Sequence, residues 1–182
     1  MSVHNKASPK TEPYTIIPLS LIDGCPDNPY KVKDDDAMME LVESISERGI
    51  ITPALVRPKG DGRYELIAGH RRKRACEIAG IDSLKCEVLE ISRDEAVILM
   101  VESNIQRPQI LPSEKAFAYK MRLEAMNRQG KRTDLTSNPL GGKLKGIESA
   151  QLVGSQNDDS QTQVRRYIRL TYLVPELLEM VD

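Results

Sequence analysis

A strand, a glycine and a strongly basic helix start follow one another between Tyr64 and Gly80, and this stretch constrains the fold more than any other. The apolar run 66–68 has strand character and meets Gly69, after which residues 70–74 read His-Arg-Arg-Lys-Arg. Glycine permits a close backbone turn, and the first N–H groups of the helix that follows have no partner within that helix. Because a helix N-terminus carries partial positive charge, this corner suits an anion. The alternative interpretation is a solvated basic helix on an ordinary α/β domain.

Composition excludes several classes of site. The formal net charge of the 182 residues is −1, so binding to nucleic acid must depend on local clusters of basic residues. One Phe, six Tyr and no Trp leave few rings for stacking single-stranded bases. Three Cys and two His, with no Cys-x-x-Cys pair, argue against a disulfide framework or a zinc site. No apolar run approaches the ~20 residues of a membrane span, and we expect a cytoplasmic protein with no membrane partner.

Periodicity and turn residues predict an α/β part followed by a helical part. The predicted elements, in order, are a flexible arm (1–13), a strand (14–18), a helix from the acidic residues 34–36 to Gly49, strands 54–57 and 64–68 joined by the turn 60–62, the basic helix ending at Gly80, a strand (85–91), a helix (92–104) and a long helix from Pro112 to Gly130. The carboxylates at 34–36 are interpreted as helix caps rather than metal ligands. In the basic helix, Ala75, Ile78 and Ala79 are predicted to share the buried face.

Polar side chains crowd the last turn of the helix that ends near residue 104. Glu102 and Asn104 offer oxygen ligands of the kind that Mg²⁺ takes, and Arg107 could reach a phosphate. The alternative is a polar helix end followed by a stop at Pro108.

A helix-turn-helix is predicted near the end of the chain. The basic loop 130–147 contains Lys143 and Lys145, which could follow DNA phosphates or remain solvated, and a short helix is predicted at 148–154. A second helix around residues 163–170 directs Val164, Tyr167 and Ile168 inward. Its outer face would enter the major groove of DNA. The candidate DNA-binding residues on this helix are Thr162, Gln163, Arg165, Arg166 and Arg169.

These motifs together resemble the ParB partition proteins over nearly all of residues 14–182. Five motifs of the family have counterparts in this sequence. They are Asn-Pro-Tyr at residues 28–30, Ser-Ile-x-x-x-Gly at 44–49, Gly-Glu-Arg-Arg-x-Arg-Ala at 69–75, Glu-Asn-x-Gln-Arg at 103–107 and Leu-x-Pro-x-Glu at 111–114. The resemblance implies an α+β fold, with a small mixed-sheet ParB/sulfiredoxin-like nucleotide-binding domain at 14–107 and an all-α helix-turn-helix domain at 108–182.

The same resemblance implies a function in plasmid or chromosome segregation and a nucleoid-associated location. Family members bind CTP with magnesium and close into a clamp on a palindromic, centromere-like site in double-stranded DNA. They act as homodimers with a ParA-type ATPase. Because the chain ends at Asp182, before the dimerisation domain usual in the family, we expect a truncated member of a plasmid or mobile-element type and leave its oligomeric state open.

Site residues follow from the resemblance position by position. The implied nucleotide-binding residues are Gly69, His70, Arg71, Arg72, Ser103, Asn104 and Arg107. Glu102 and Asn104 are the implied metal ligands, and Glu102 is the candidate catalytic residue. His70 and Ser103 stand where the family has glutamates, and Glu102 is one position, about 100° of helix, from the expected carboxylate. Nucleotide binding is therefore expected rather than efficient hydrolysis, with weak CTPase activity left open.

Three alternatives to partition remain at this stage. Sulfiredoxin chemistry is disfavoured because Gly69 stands where that enzyme has a cysteine before its His-Arg pair. A ParB-like nuclease would need clustered metal-binding carboxylates, which the sequence does not assemble convincingly. A transcriptional regulator from a mobile element, without nucleotide hydrolysis, would use the same helix-turn-helix.

Overall fold

The computed structural model describes residues 14–105, 107, 110–134 and 159–182. The strands are β1 Thr15–Pro18, β2 Ile22–Asp23, β3 Ala54–Pro58, β4 Tyr64–Ala68 and β5 Ser83–Val88, with a 3₁₀ turn at Leu19–Leu21. The helices are α1 Asp36–Arg48, α2 His70–Ala79, α3 Arg93–Asn104, α4 Pro112–Asp134, α5 Gln161–Leu170 and α6 Pro175–Glu179. Among these helices, none combines the length and the apolar character needed to cross a bilayer.

The five strands form one mixed sheet in the order β1-β5-β3-β4-β2. β3 pairs antiparallel with β4 and parallel with β5, while β1 pairs antiparallel with β5 and β2 pairs parallel with β4. The turn between β3 and β4 has Gly60 and Gly62 at positive φ, as a tight hairpin requires. This architecture confirms the predicted mixed α/β fold of the first part of the chain.

Helices cover both faces of the sheet. Successive side chains of a strand point to opposite faces, and in β4 Leu66 and Ile67 are both buried. Leu66 belongs to a cluster with residues of α1 and α2, such as Met38 and Ala75. Ile67 packs instead against Met100 of α3. β4, which leads directly into α2, is thereby held between two packed layers.

A further apolar cluster joins the α/β part to the helices that follow. Val101 and Ile105, at the end of α3, pack with Tyr119 of α4 and Val164 of α5, and Tyr30 completes the cluster. α3 therefore contributes to two cores. The predicted domain boundary at residues 107 and 108 lies beside this shared cluster, and the division into domains stays a prediction.

Helix termini largely follow the predicted signals. Asp35 caps α1, its side chain accepting a hydrogen bond from the Met38 N–H, and α1 stops at Gly49. Ser92 and Glu95 form the predicted capping box of α3. The first backbone N–H groups of a helix have no partner within the helix. A side-chain oxygen that accepts a hydrogen bond from one of them stabilises the helix start, which explains why these residues begin helices.

Several boundaries differ from the prediction. α4 continues past Gly130 to Asp134, since one glycine costs a helix only about 1 kcal/mol. β5 begins at Ser83, where it pairs with Pro18, and ends at Val88. In α2 the buried residues are Ala75 and Cys76, whereas the side chain of Ile78 is 36% exposed, so its predicted inward position is wrong. The predicted loop is wrong for residues 130–134, which belong to α4. The arm 1–13 and the rest of the segment predicted as a basic loop and short helix, 135–154, with Lys143 and Lys145, lie outside the described residues.

Candidate anion-binding cleft

The corner between β4 and α2 has the backbone geometry that its sequence predicts. Gly69 adopts a left-handed conformation with φ 106° and serves as the N-cap of α2. A Cβ at this position would lie 2.9 Å from the Cβ of Ala54, so both the dihedral angle and the space require glycine. No side chain caps the helix start, and its first turn contains no acidic residue. The N-terminal N–H groups of α2 thus remain available to an anion.

A cleft of about 520 Å³ opens over this corner. Its walls are the end of α1, the loop 49–52, the β4–α2 corner and the end of α3. All seven residues predicted to bind nucleotide line it: Gly69, His70, Arg71, Arg72, Ser103, Asn104 and Arg107. Two motifs 30 residues apart in sequence therefore meet at one site.

The two neighbouring arginines at the start of α2 have different contacts. The guanidinium of Arg72 donates from Nη1 to the carbonyl oxygens of Thr52 and Pro53, and burial lowers the pKa of Arg72. The side chain of Arg71 is 37% exposed, and its Nη2 lies 3.4 Å from the Asp35 carboxylate. Arg72 consequently fixes the loop at the cleft wall, whereas Arg71, with this one long ion pair, is better placed to contact a ligand.

Arg107 approaches the cleft from the end of α3. Its guanidinium carbon lies 5.8 Å from the centre of the Tyr30 ring, within the range of a cation–π interaction. The Arg107 N–H donates to the carbonyl of Asn104 at 3.1 Å. Arg107 also lines an adjoining groove with Lys31 and Arg71, so positive charge extends beyond the cleft.

His70 is a neutral residue at neutral pH. Its burial, together with the nearby charges of Arg107 and Lys73, lowers the pKa of His70 to about 4. Its Nε2 is buried and has no hydrogen-bond partner among the described residues. Where the family has a glutamate, this chain therefore presents an uncharged imidazole.

Asn104 and Ser103 supply neutral polar groups at the opposite wall. The Asn104 Nδ2 donates to the Met100 carbonyl at 2.7 Å and to the Ser103 Oγ at 3.1 Å. The Ser103 hydroxyl in turn donates to the Met100 carbonyl at 3.0 Å. These bonds fix the Asn104 amide, whose side chain is largely buried in the last turn of α3.

Glu102, the candidate catalytic and metal-binding carboxylate, does not line the cleft. Its Oε1 accepts a hydrogen bond from Arg122 Nη2 at 2.6 Å, and the side chain of Arg122 in α4 is only 2% exposed. Because neighbouring positions on a helix diverge by about 100°, Glu102 faces α4 while Ser103 faces the cleft. In the structure, Glu102 connects α3 to α4 through its bond with Arg122, and its catalytic role stays a prediction.

The donor groups do not fit a magnesium ion held by the protein. None of the described residues lining the cleft is an aspartate or a glutamate. Within residues 14–105, 107, 110–134 and 159–182, no group of three or more His, Cys, Asp or Glu is arranged to hold a metal. Mg²⁺ is usually bound through one or two carboxylates together with phosphates, whereas the side-chain oxygens of the described lining residues are the neutral ones of Ser44, Thr52, Ser103 and Asn104.

Sequence reasoning missed one wall of the cleft. The loop 49–52 and three residues of α1, Leu41, Ser44 and Ile45, line it opposite the α2 corner. The sequence feature that could have indicated this wall is the Ser-Ile-x-x-x-Gly motif at 44–49, to which no role was assigned. Its position could not be inferred locally, because it depends on how α1 packs against α2.

The predicted recognition helix has the expected inner and outer faces. Val164 of α5 is fully buried, and Tyr167 and Ile168 pack against the same cluster. The outward residues Thr162, Gln163, Arg165, Arg166 and Arg169 are all exposed. The supporting helix predicted at 148–154 lies outside the described residues, so the helix-turn-helix stays a prediction.

The start of α5 is firmly anchored. Gln163 accepts a hydrogen bond from the Ser160 N–H at 2.7 Å and thereby closes a capping box. Asp159, just before the helix, forms an ion pair of 2.6 Å with Lys115 and accepts a hydrogen bond from the Tyr119 hydroxyl. Gln163 therefore has a structural role in addition to its predicted contact with DNA.

The fold and the cleft together define a small α/β domain with a cationic site, followed by helices. Residues 3–105 match the ParB N-terminal domain family. The chain belongs to this family, which confirms the resemblance inferred from its motifs.

Its relatives include chromosome-partitioning proteins. The chain is 35% identical over 166 residues to the chromosome-partitioning protein Spo0J of Thermus thermophilus, covering 91% of this chain and 54% of that protein. It is 39% identical over 102 residues to a probable chromosome-partitioning protein ParB of Pseudomonas putida, covering 56% of this chain and 35% of that protein. The chain thus spans about half the length of the first relative.

Solved structures support the same fold. A Pnob8-like ParB-N domain aligns with a TM-score of 0.60 and 17% identity, covering 91% of this chain and 71% of that one. The C-terminally truncated ParB of Caulobacter crescentus complexed to the centromeric parS site aligns with a TM-score of 0.54 and 24% identity, covering 91% of this chain and 75% of that one. At these identities the similarity shows the fold.

Proposed function

We propose that this chain is a DNA-binding partition protein of the ParB type that holds a nucleoside triphosphate in the cleft at Gly69. The observation that carries the proposal is the convergence of all seven predicted residues on one cationic cleft. The relatives named as chromosome-partitioning proteins, and the Caulobacter crescentus relative complexed to the parS site, support the DNA-binding role. CTP is the proposed nucleotide because of the family resemblance.

Each part of the cleft has a role in this proposal. The free N–H groups at the start of α2 and the guanidinium of Arg71 hold the phosphates, as helix N-termini and arginines commonly do. Arg107 adds charge from the end of α3. The wall formed by Leu41, Ile45 and the loop 49–52 faces the nucleoside.

The residues of the cleft support binding more than hydrolysis. A general base must lie within hydrogen-bond reach of the water that it activates. His70 and Ser103 replace two carboxylates of the family motif, and Glu102 is bonded to Arg122. The proposal therefore describes a nucleotide-responsive DNA-binding protein with at most slow turnover. Clamp formation, a homodimer and a ParA-type ATPase partner belong to the same proposal.

The end of α3 offers a physical connection between the two activities. Asn104 and Arg107 line the cleft, while Val101 and Ile105 pack on α4 and α5. A ligand that favours one arrangement of the end of α3 would bias the position of α4, on which α5 packs. Bound nucleotide would in this way influence the DNA-binding face.

The Arg71→Ala variant tests the proposed cleft. Arg71 is partly exposed and has a single weak ion pair, so its loss should leave the fold intact and lower CTP affinity at least about tenfold, the order expected for a charged hydrogen bond. Isothermal titration calorimetry measures the affinity, and a thermal melt checks the fold. Arg74→Ala is the matched control, because Arg74 lies on the same helix, pairs with Asp34 and does not line the cleft. Equal loss in both variants, or undiminished binding by Arg71→Ala, would refute the assignment.

A further inference from the structure

We propose that the cleft binds its nucleoside triphosphate without a divalent cation, since the described residues that line it supply positive charge and no carboxylate to hold a metal. This inference rests on the proposed nucleotide-binding function and concerns whether the nucleotide binds with or without a metal ion. It departs from the magnesium dependence that the family resemblance implies.

Three carboxylates on elements beside the cleft, those of Glu102, Asp35 and Glu114, form their hydrogen bonds outside it. Glu102 is bonded to Arg122 of α4, on a face of α3 that turns away from the cleft. Asp35 accepts a hydrogen bond from the Met38 N–H at 2.9 Å as the cap of α1. Glu114 accepts one from the Lys31 N–H at 2.9 Å and lines the adjoining groove, not the cleft. Each of these three carboxylates already accepts a hydrogen bond within the protein, and none of them lines the cleft.

The charges that are present favour the metal-free ligand. A free triphosphate carries more negative charge than its magnesium complex, and attraction to a fixed cation grows with that charge. Arg71, Arg72 and Arg107 line the cleft beside the uncapped start of α2. No aspartate or glutamate is among the described residues that line the cleft, so no negative side chain there opposes this attraction.

The first experiment compares CTP binding by the intact chain in excess EDTA and in excess MgCl₂, by isothermal titration calorimetry. The expected result is an affinity in EDTA that equals or exceeds the affinity in magnesium. Binding more than about tenfold tighter in magnesium would overturn the inference while leaving the proposed function standing. Failure to bind under either condition would refute the proposed function and the inference with it. Inorganic triphosphate, titrated in parallel, reports on the phosphate contacts alone.

A pair of variants tests whether the lack of a negative side chain in the cleft is the reason. Ser103 is exposed, lines the cleft and occupies the position of the family's glutamate, so the Ser103→Glu variant places a carboxylate there without disturbing the core. The Ser103→Gln variant has nearly the same size and no charge. We expect Ser103→Glu to bind CTP at least about tenfold more weakly than Ser103→Gln in EDTA, and to regain affinity when magnesium is added. Equal behaviour of the two variants would contradict the account.

The Glu102→Gln variant tests whether the carboxylate of Glu102, which precedes Ser103 in α3, contributes to a metal site on the ligand. Its side chain pairs with Arg122, so the inference expects the ratio of CTP affinities in EDTA and magnesium to match that of the unmodified chain. A magnesium effect that is present in the unmodified chain and lost in this variant would identify Glu102 as a metal ligand and overturn the inference.

Discussion

His70 shows how one position can change the character of a site. It begins α2 at the cleft, and burial of its imidazole, together with the nearby charges of Arg107 and Lys73, lowers its pKa to about 4 and keeps it neutral. A glutamate at this position would bring a negative charge close to the phosphates. The imidazole removes that charge while preserving a bulky planar side chain.

The lowered pKa of His70 predicts a pH dependence of stability. In the unfolded chain the pKa is the ordinary 6.5, so between about pH 6.5 and pH 4 the unfolded chain binds a proton that the folded chain does not. The free energy of unfolding should therefore fall as pH drops through this window, by at most about 3 kcal/mol. Urea unfolding at several pH values measures it.

The His70→Gln variant is the control for this effect, since it removes the titration and leaves the carboxylates unchanged. Its unfolding free energy should depend less steeply on pH than that of the unmodified chain. Parallel pH profiles for the two proteins would show that His70 does not titrate as its environment indicates.

Among the elements, α5 presents the proposed DNA-binding face. Val164 fixes its inner face, and Arg165, Arg166 and Arg169 remain exposed on the outer side. None of these three arginines forms an ion pair with a described residue. A helix presented in this way has cationic groups available for phosphates and base edges.

The double variant Arg165→Ala/Arg166→Ala should weaken DNA binding. Each lost phosphate contact reduces the slope of log affinity against log salt by about 1, and a lost base contact costs about 1–3 kcal/mol. Fluorescence anisotropy with genomic fragments retained by the intact chain gives both quantities at several salt concentrations. Arg93→Ala is the control, because Arg93 is an exposed arginine at the start of α3, paired with Asp27. An unchanged affinity and salt slope in the double variant would mean that α5 is not the recognition helix.

Elements with strong local signals were predictable from the sequence, and elements defined by distant pairing were not. The β4–α2 corner and the capping box at Ser92 depend on a glycine and on side chains within a few residues. β2 has only two residues and is defined by its parallel pairing with β4. No local periodicity in the sequence predicts this pairing. Likewise, Glu102 differs from Ser103 by one position, and only the packing of α4 shows which of them faces the cleft.

At the scale of the whole molecule, the cleft and α5 are linked through α3 and α4. If nucleotide changes the affinity for DNA by some factor, DNA must change the affinity for nucleotide by the same factor. We expect such reciprocal coupling in this chain, measured by DNA titrations with and without CTP and by CTP titrations with and without DNA.

The Arg71→Ala variant provides the control for coupling. It should bind DNA normally in the absence of nucleotide and show no response to CTP, since Arg71 lies at the cleft and far along the chain from α5. Independent binding of the two ligands to the unmodified chain would exclude coupling through α3.

The shared apolar cluster at the end of α3 also limits how this chain could exchange parts with its relatives. Tyr30, Val101 and Ile105 precede the connection at residue 107, whereas Tyr119 and Val164 follow it, and all five pack together. A recombination event at this connection would join an α/β part to helices shaped for a different surface. The two halves are therefore expected to be inherited as a pair, with substitutions at Tyr30 or Val101 matched by changes in α4 and α5.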